Sequence, residues 1–365
     1  MSDLCAKRRF IWSERPEDLS MPPPPRTGYL DRAAGEWVLS RYSDVFAVLH
    51  DSRLEHQRHQ STEQRERDEQ ARRSVRSATQ KSLSLSQLSE CQLRIKKLAY
   101  SRMAELPVNR SVDLVAEFAE PWCTSVALIV TGAEQGGRER LFELARRVSA
   151  AAADPDNPDL KSAAEIANSE LERHVPADAI PMASAAFVAL AQPLPAFLAR
   201  AWLALMRHPS ELSSLHGDPE LMPQAIEELL RYAGPARKIM RVAHAPLDLA
   251  GVRIAPGEKV RLLLDSANRD PEQFKEPNRL DPKRRAVRHL ALGAGPHSCA
   301  GGTLIRMAAA VATRAFVQKF HRAAVREPVE WRGGAVFSAR SSVCRLALIQ
   351  THGYVILFVV QDARL

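Results

Sequence analysis

Residues 292–301 read Leu292-Gly293-Ala294-Gly295-Pro296-His297-Ser298-Cys299-Ala300-Gly301. Three glycines in ten residues permit tight backbone turns and a close approach of the main chain to a flat ligand. Cys299 stands just ahead of a stretch whose apolar residues recur at three and four, which predicts a helix from about 303 to 320. A thiol placed there meets backbone amide donors and the positive end of a helix dipole, and both favour thiolate. Set against this, an isolated cysteine is most often a small buried hydrophobe. The neighbouring sequence decides between the two.

Upstream of the loop lie irregular, Pro-, Asp- and Arg-rich residues (265–288). Before them, RVAHAPLDLAGVRIAPGEKVRLLL (241–264) has a period of two broken by Gly and Pro, which predicts short strands. Farther upstream, 219–233 predicts a helix that carries Glu228-Leu229-Leu230-Arg231. Spacing of three puts the carboxylate and the guanidinium on one helix face. Alone, such a pair is usually exposed and worth a few tenths of a kcal/mol, roughly. The apolar run 183–206 predicts a long helix broken at Pro193 and Pro195. Residues 86–104 and 112–131 have helical spacing, with Gly132 as the stop of the second. A charged helix near 138–148 and another near 160–173 flank an ADPDNPD turn. Residues 36–50 predict a strand and then a helix. The polar stretch 55–76 reads as a solvated helix or a loop. The last 45 residues or so read as short strands. Helix dominates early and a small β region follows.

Composition narrows the function. The chain has 365 residues, 45% of them hydrophobic and 26% charged, which is globular composition. Its five cysteines, Cys5, Cys91, Cys123, Cys299 and Cys344, include no close pair. That argues against a disulfide framework and a CxxC zinc site, and points to a reducing cytoplasm. No secretory leader and no membrane-spanning apolar run is expected. The net charge is +8, but no basic tract is interleaved with aromatics. This argues against nucleic acid and favours an acidic protein partner.

In order, AIEELLRY (225–232), ARKIMRVA (236–243), GVRIAPGEKV (251–260), SANRDPEQFKEPNRLDP (266–282) and HLALGAGPHSCAGGTLIR (289–306) resemble the cytochrome P450 superfamily of the soluble bacterial type. The likeness is strong over 200–320 and fainter over 36–131. It implies a mainly α fold with a small β region, one cytochrome P450-like domain over 1–365, and an atypical tail at 350–365. It implies haem b between a long central helix and the cysteine loop. Cys299 would ligate the iron, and its thiolate would push electron density toward bound oxygen. Arg241 and His297 would bind the haem propionates, with Gly301 against the cofactor. Glu228, Arg231 and Arg279 would form a buried salt-bridged triad, which is costly to break.

The chain departs from the family in four places. Leu292 replaces the phenylalanine that opens the cysteine loop. The family's propionate-binding HxxxR is represented by Arg72 and Arg76. The segments that roof the substrate pocket, about 52–70 and 132–180, are short and polar. In the central helix the family's AGx(D/E)T falls on Ala189-Leu190-Ala191-Gln192-Pro193, so the acid and alcohol that deliver protons become an amide and an imino acid. Gln192 can hydrogen-bond but holds no ionisable proton. Water can also carry protons there.

The resemblance implies a monomeric haem-thiolate monooxygenase. It would insert one oxygen atom of dioxygen into a small or medium organic substrate, free or carrier-bound, with electrons from an acidic ferredoxin. Arg72, Arg73, Arg76, Lys81, Arg284, Arg285, Arg288 and Arg306 are the expected docking cations. A charge run is more often just a solvated face. Two alternatives stand beside this. One is an enzyme fed by peroxide, or one that rearranges an oxygenated substrate. Proline in the alcohol position resembles the fatty-acid peroxygenases, although their arginine partner is absent. The other is a non-catalytic scaffold of the same fold. Spectra of the reduced, carbon monoxide-bound protein separate the scaffold from the enzymes.

Overall fold

The structure is a computed structural model that describes residues 28–55, 62–108, 112–133, 137–153, 157–177, 179–191, 193–285, 288–325, 347–351 and 354–358. Gln192 falls outside these residues, and of His297 only the backbone is described.

The chain opens with the hairpin β1 (Tyr29–Asp31) and β2 (Glu36–Leu39), then α1 (Tyr42–His50) and β3 (Leu54–Glu55). Helices α2 (Thr62–Ser82) and α3 (Leu85–Glu105) follow. The polar α2 is a full helix. Glu69 pairs with Arg72 and with Arg73, at spacings of three and four, which supports a helix that buries little of its own surface. A π-helical segment, Leu114–Ala119, runs into α4 (Glu120–Thr131). Asp113 caps it by accepting from the amides of Val115 and Ala116 at 3.0 and 2.9 Å. Gly132, at φ 66°, ends α4 in the left-handed conformation. Helices α5 (Arg138–Ala153) and α6 (Pro158–Glu172) pack on each other, and α6 is capped by Asn157 with Pro158 in its first turn.

The long apolar run is helical on both sides of Gln192, as α7 (Ile180–Ala191) and α8 (Pro193–Arg207). Pro195 does not break the helix, contrary to the sequence expectation. It lies within α8. Nearly every side chain of α8 is buried. Trp202 stacks on Phe316 at 4.7 Å between centroids and donates from Nε1 to Thr313 at 3.2 Å. Leu114–Thr131 and Ala185–Arg207 are long and apolar enough by composition to cross a membrane, but are 67% and 75% buried within the fold, as core helices are.

Next come α9 (Pro209–Gly217), a 3-10 turn, and α10 (Met222–Ala233). Strands β4 (Lys238–Ala243), β5 (Leu247–Leu249), β6 (Val252–Ile254) and β7 (Lys259–Leu263) follow, with the short α11 (Leu264–Ala267). Five strands form a mixed sheet in the order β1-β2-β7-β4-β3, in which β2 and β7 are parallel, while β5 and β6 make a separate hairpin. Helix α12 (Gly302–Phe320) leaves the cysteine loop, as expected. The C-terminal part contributes β8 (Ala323–Val325), β9 (Ala347–Thr351) and β10 (Tyr354–Phe358), with β10 between the other two.

The apolar interior has two clusters. The larger one lies among the helices, and the smaller one lies between α1 and the sheet. Leu290 belongs to the smaller and Ala291 to the larger. The strand of chain that enters the cysteine loop therefore crosses from one to the other.

Candidate functional site: the cysteine loop and its anchors

The amide of Gly293 donates to Leu290 O at 2.9 Å, and that of Cys299 to Leu292 O at 2.8 Å. These bonds fold the loop back on itself. The turns place Gly293 and Gly295 at φ 70° and 65°, where side chains are strained. Gly295 also has no room for a side chain: an added Cβ would lie 2.4 Å from Leu49 O of α1. Gly301 differs. Its φ is −87°, and an added Cβ would make ordinary 3.9 Å contacts with Ala189 of α7 and with Leu83. Protein packing therefore does not require glycine at 301. The same contacts bring the central helix to the cysteine loop.

Cys299 is partly buried, and burial pushes its thiol above the usual range. The Gly301 amide and the Arg76 and Arg306 cations oppose this but do not outweigh it. The expectation that the helix start alone favours thiolate is thus corrected: desolvation of the charged form wins in the protein by itself. A metal cation held by Cys299 would supply the missing stabilisation, because coordination deprotonates a thiol.

Arg76 donates to Ser298 O and, at 2.7 Å, to Ser298 Oγ, beside Cys299. Arg72 is held by Glu69 and lies 3.7 Å from Glu55. Arg241, on β4, is buried and donates to Met240 O at 2.7 Å. Burial, and then repulsion from Arg72, bring its pKa down to about 10. Arg72 and Arg241 thus sense each other, while Arg76 reaches the loop. A buried cation repelled by a second cation is a seat for an anion. Haem propionates fit these residues, and an iron-bound thiolate fits Cys299.

The Glu228–Arg231 pair is fully buried on α10. Arg231 donates from Nε and Nη2 to the two carboxylate oxygens at 2.7 Å each. Its other protons go to the carbonyls of Asn268, Pro277 and Arg279 at 2.8–3.1 Å. The third member is not Arg279. That side chain is 61% exposed, 3.5 Å from Glu276, and the residue supplies only its carbonyl. Arg284 fills the position, with Nε 3.1 Å from Glu228 Oε1. The reason is local backbone geometry. Glu276 is at φ 47°, and the turn at Asp281, closed by the Arg284 amide to Asp281 O at 2.9 Å, swings Arg284 inward.

Sequence reasoning also missed Glu227. Its carboxylate accepts from Arg306 Nε at 2.7 Å and Nη2 at 3.1 Å, and lies 3.2 Å from Nε2 of the buried His289. Burial alone would raise its pKa, but His289 and Arg306 overcome this and bring it to about 2. The expected docking cations are therefore largely engaged within the chain. Arg284 is on Glu228, Arg306 on Glu227, Arg72 and Arg73 on Glu69, and Arg76 on Ser298. Lys81, Arg285 and Arg288 are exposed. Pro193 is buried at the start of α8.

The cysteine loop lies by a buried glutamate–arginine helix and a long core helix, and the cytochrome P450 family model matches residues 216–330. The chain is similar to the biotin biosynthesis cytochrome P450 of Bacillus subtilis, with 39% identity over 139 residues, 38% of this chain and 35% of the relative. It is also similar to the monooxygenase PikC of Streptomyces venezuelae, with 40% identity over 33% of this chain and 30% of the relative. The matched stretch thus spans about a third of the length of these curated relatives. Among solved structures, the fold matches Mycobacterium smegmatis CYP164A2 with econazole bound, at TM-score 0.73 and 22% identity, over 88% of this chain and 92% of that one. It also matches P450BioI in complex with an acyl carrier protein ligated to hexadec-9Z-enoic acid, at TM-score 0.67 and 24% identity, over 78% and 86%.

Proposed function

We propose that this protein is a haem-thiolate monooxygenase that inserts one oxygen atom of dioxygen into a small or medium organic substrate. The observation that carries the reading is Cys299 in a loop pinned at both ends, with Arg76 bonded to Ser298 beside it. Bound haem supplies oxygen activation, favoured by thiolate electron donation. The chain's own residues do the rest. Cys299 holds the iron. Arg241 and Arg76, with Arg72 and His297, hold the propionates. Glu228, Arg231 and Arg284 fix the segment 268–284 under the loop. Gln192 and Pro193 fall at the sequence positions assigned to proton delivery.

Electrons come from an acidic ferredoxin-type donor in the cytoplasm. The substrate is free or carrier-borne, the latter in keeping with the acyl carrier protein seen on the P450BioI neighbour. A second reading, in which peroxide is the oxidant, is favoured by one observation: Pro193, buried in α8, offers no hydroxyl.

Cys299→Ser is the test. The wild type should give the long-wavelength Soret band of a thiolate-ligated ferrous carbon monoxide complex, and the variant should lose it. A variant that keeps the band would remove Cys299 from the iron. Supplying peroxide, or ferredoxin with reductase and NAD(P)H, separates the two readings by which of them sustains product formation.

A further inference from the structure

Glu227 is the residue before the buried glutamate of α10, and it points to a different place. It holds Arg306, in the second turn of α12, through two hydrogen bonds of 2.7 and 3.1 Å. It also lies 3.2 Å from Nε2 of His289, at the entrance to the cysteine loop. His289 is buried, and its Nδ1 accepts from the Ala291 amide at 3.2 Å. Nε2 lies within ion-pair distance of the carboxylate but makes no hydrogen bond to it. One carboxylate thus lies against the chain on both sides of Cys299 and is hydrogen-bonded on the Arg306 side. The Arg306 guanidinium lies over the start of α12: a Cβ added at Gly302 would meet its Nη1 at 3.1 Å and the Leu292 side chain at 3.7 Å. Leu292 O accepts the Cys299 amide, and Cys299 O accepts the Gly302 amide at 3.3 Å.

We propose that Glu227 is a positioning residue for the cysteine ligand, which fixes both ends of the loop and neutralises the Arg306 charge beside it. The proposal rests on Cys299 holding haem iron, as argued above. Adding an electron to the iron adds negative charge at the site, so a bare guanidinium nearby favours the reduced state and a bare carboxylate disfavours it. Glu227→Gln leaves Arg306 without its counter-charge. Arg306→Gln leaves Glu227 without its own.

The experiment is spectroelectrochemical titration of the holoprotein and three variants: Glu227→Gln, Arg306→Gln and the double substitution. Glu227→Gln should raise the haem reduction potential, Arg306→Gln should lower it, and the double variant should return toward the wild type. A role in stability alone moves both single variants in the same direction, or neither, and either result overturns the proposal. Should Glu227→Gln give no holoprotein, the partly exposed Arg306→Gln decides: a lowered potential supports the proposal and an unchanged one overturns it. The carbon monoxide spectra tell the two failures apart. Unmoved potentials with the long-wavelength band intact defeat the clamp alone, whereas a wild type without that band defeats the haem-thiolate reading and the clamp with it.

Discussion

At the scale of single residues, two arginines that lie five positions apart have opposite fates. Arg279 faces solvent, whereas Arg284 bonds to a carboxylate with no exposed surface. Removing one partner of a buried pair typically costs about 3–5 kcal/mol, because the other charge is left without compensation. Glu228→Ala and Arg231→Ala should therefore yield little soluble holoprotein. Arg284→Ala should lower stability by somewhat less, since the Glu228–Arg231 pair remains. Arg279→Ala should stay within about 0.5 kcal/mol of the wild type. Urea melts of the four proteins check this, and a loss at Arg279 as large as that at Arg284 would reverse the assignment. The loop around Cys299 and the Glu228–Arg231 pair were legible in the sequence because their signals are local: glycines around a cysteine, and a pair spaced by one helical turn. Arg284 was not, because a left-handed backbone at Glu276 and a turn at Asp281 decide which arginine faces inward. Glu227 was hidden because its partners lie far along the chain; the separation to Arg306 is 79 residues.

At the scale of elements, periodicity predicted most helices within a few residues. The failures have physical causes. The polar α2 has little apolar stripe to read, yet it is held by its own ion pairs and by Arg76 reaching the cysteine loop. The π-helical turn before α4 leaves no mark in apolar spacing. Pro195 looked like a break, but it lies within α8. Pro193 has a functional corollary. On the proposed reading, an amide and a proline stand at the sequence positions of the acid and the alcohol, and protons arrive by water or from the substrate. General-acid groups typically contribute about 10²–10⁴-fold to a rate. Turnover with a ferredoxin donor should therefore be slow, or should release hydrogen peroxide. Gln192→Glu with Pro193→Thr should raise the ratio of product formed to NAD(P)H consumed. A wild type that is already tightly coupled would refute this and assign proton supply to bound water or a substrate hydroxyl.

At the scale of the whole molecule, the net charge of +8 overstates what the loop side offers to a partner. Arg284 and Arg306, both among the expected docking cations, spend their charge on Glu228 and Glu227. The exposed Lys81, Arg285 and Arg288 are better placed to meet an acidic donor. Interactions between exposed charges are screened beyond about 10 Å at 0.1 M salt. Arg288→Glu should therefore weaken ferredoxin binding several-fold at low salt and much less at high salt, while Arg306→Gln should leave binding nearly unchanged. Titrating a ferredoxin at two ionic strengths measures both. If Arg306→Gln weakens binding as much as Arg288→Glu does, the internal pairing does not hold in solution.

The passage of the chain from one apolar cluster to the other at Leu290 and Ala291 makes the cysteine loop a seam between two bodies of side chains. A ligand tied to that seam acts as a rivet. Releasing it would slacken both sides together, so loss of the cofactor and cooperative opening of the protein should proceed as one event. Whatever binds only the closed form stabilises it in proportion to the logarithm of its concentration over its dissociation constant. The cofactor would then set how long the molecule survives as well as what chemistry it performs.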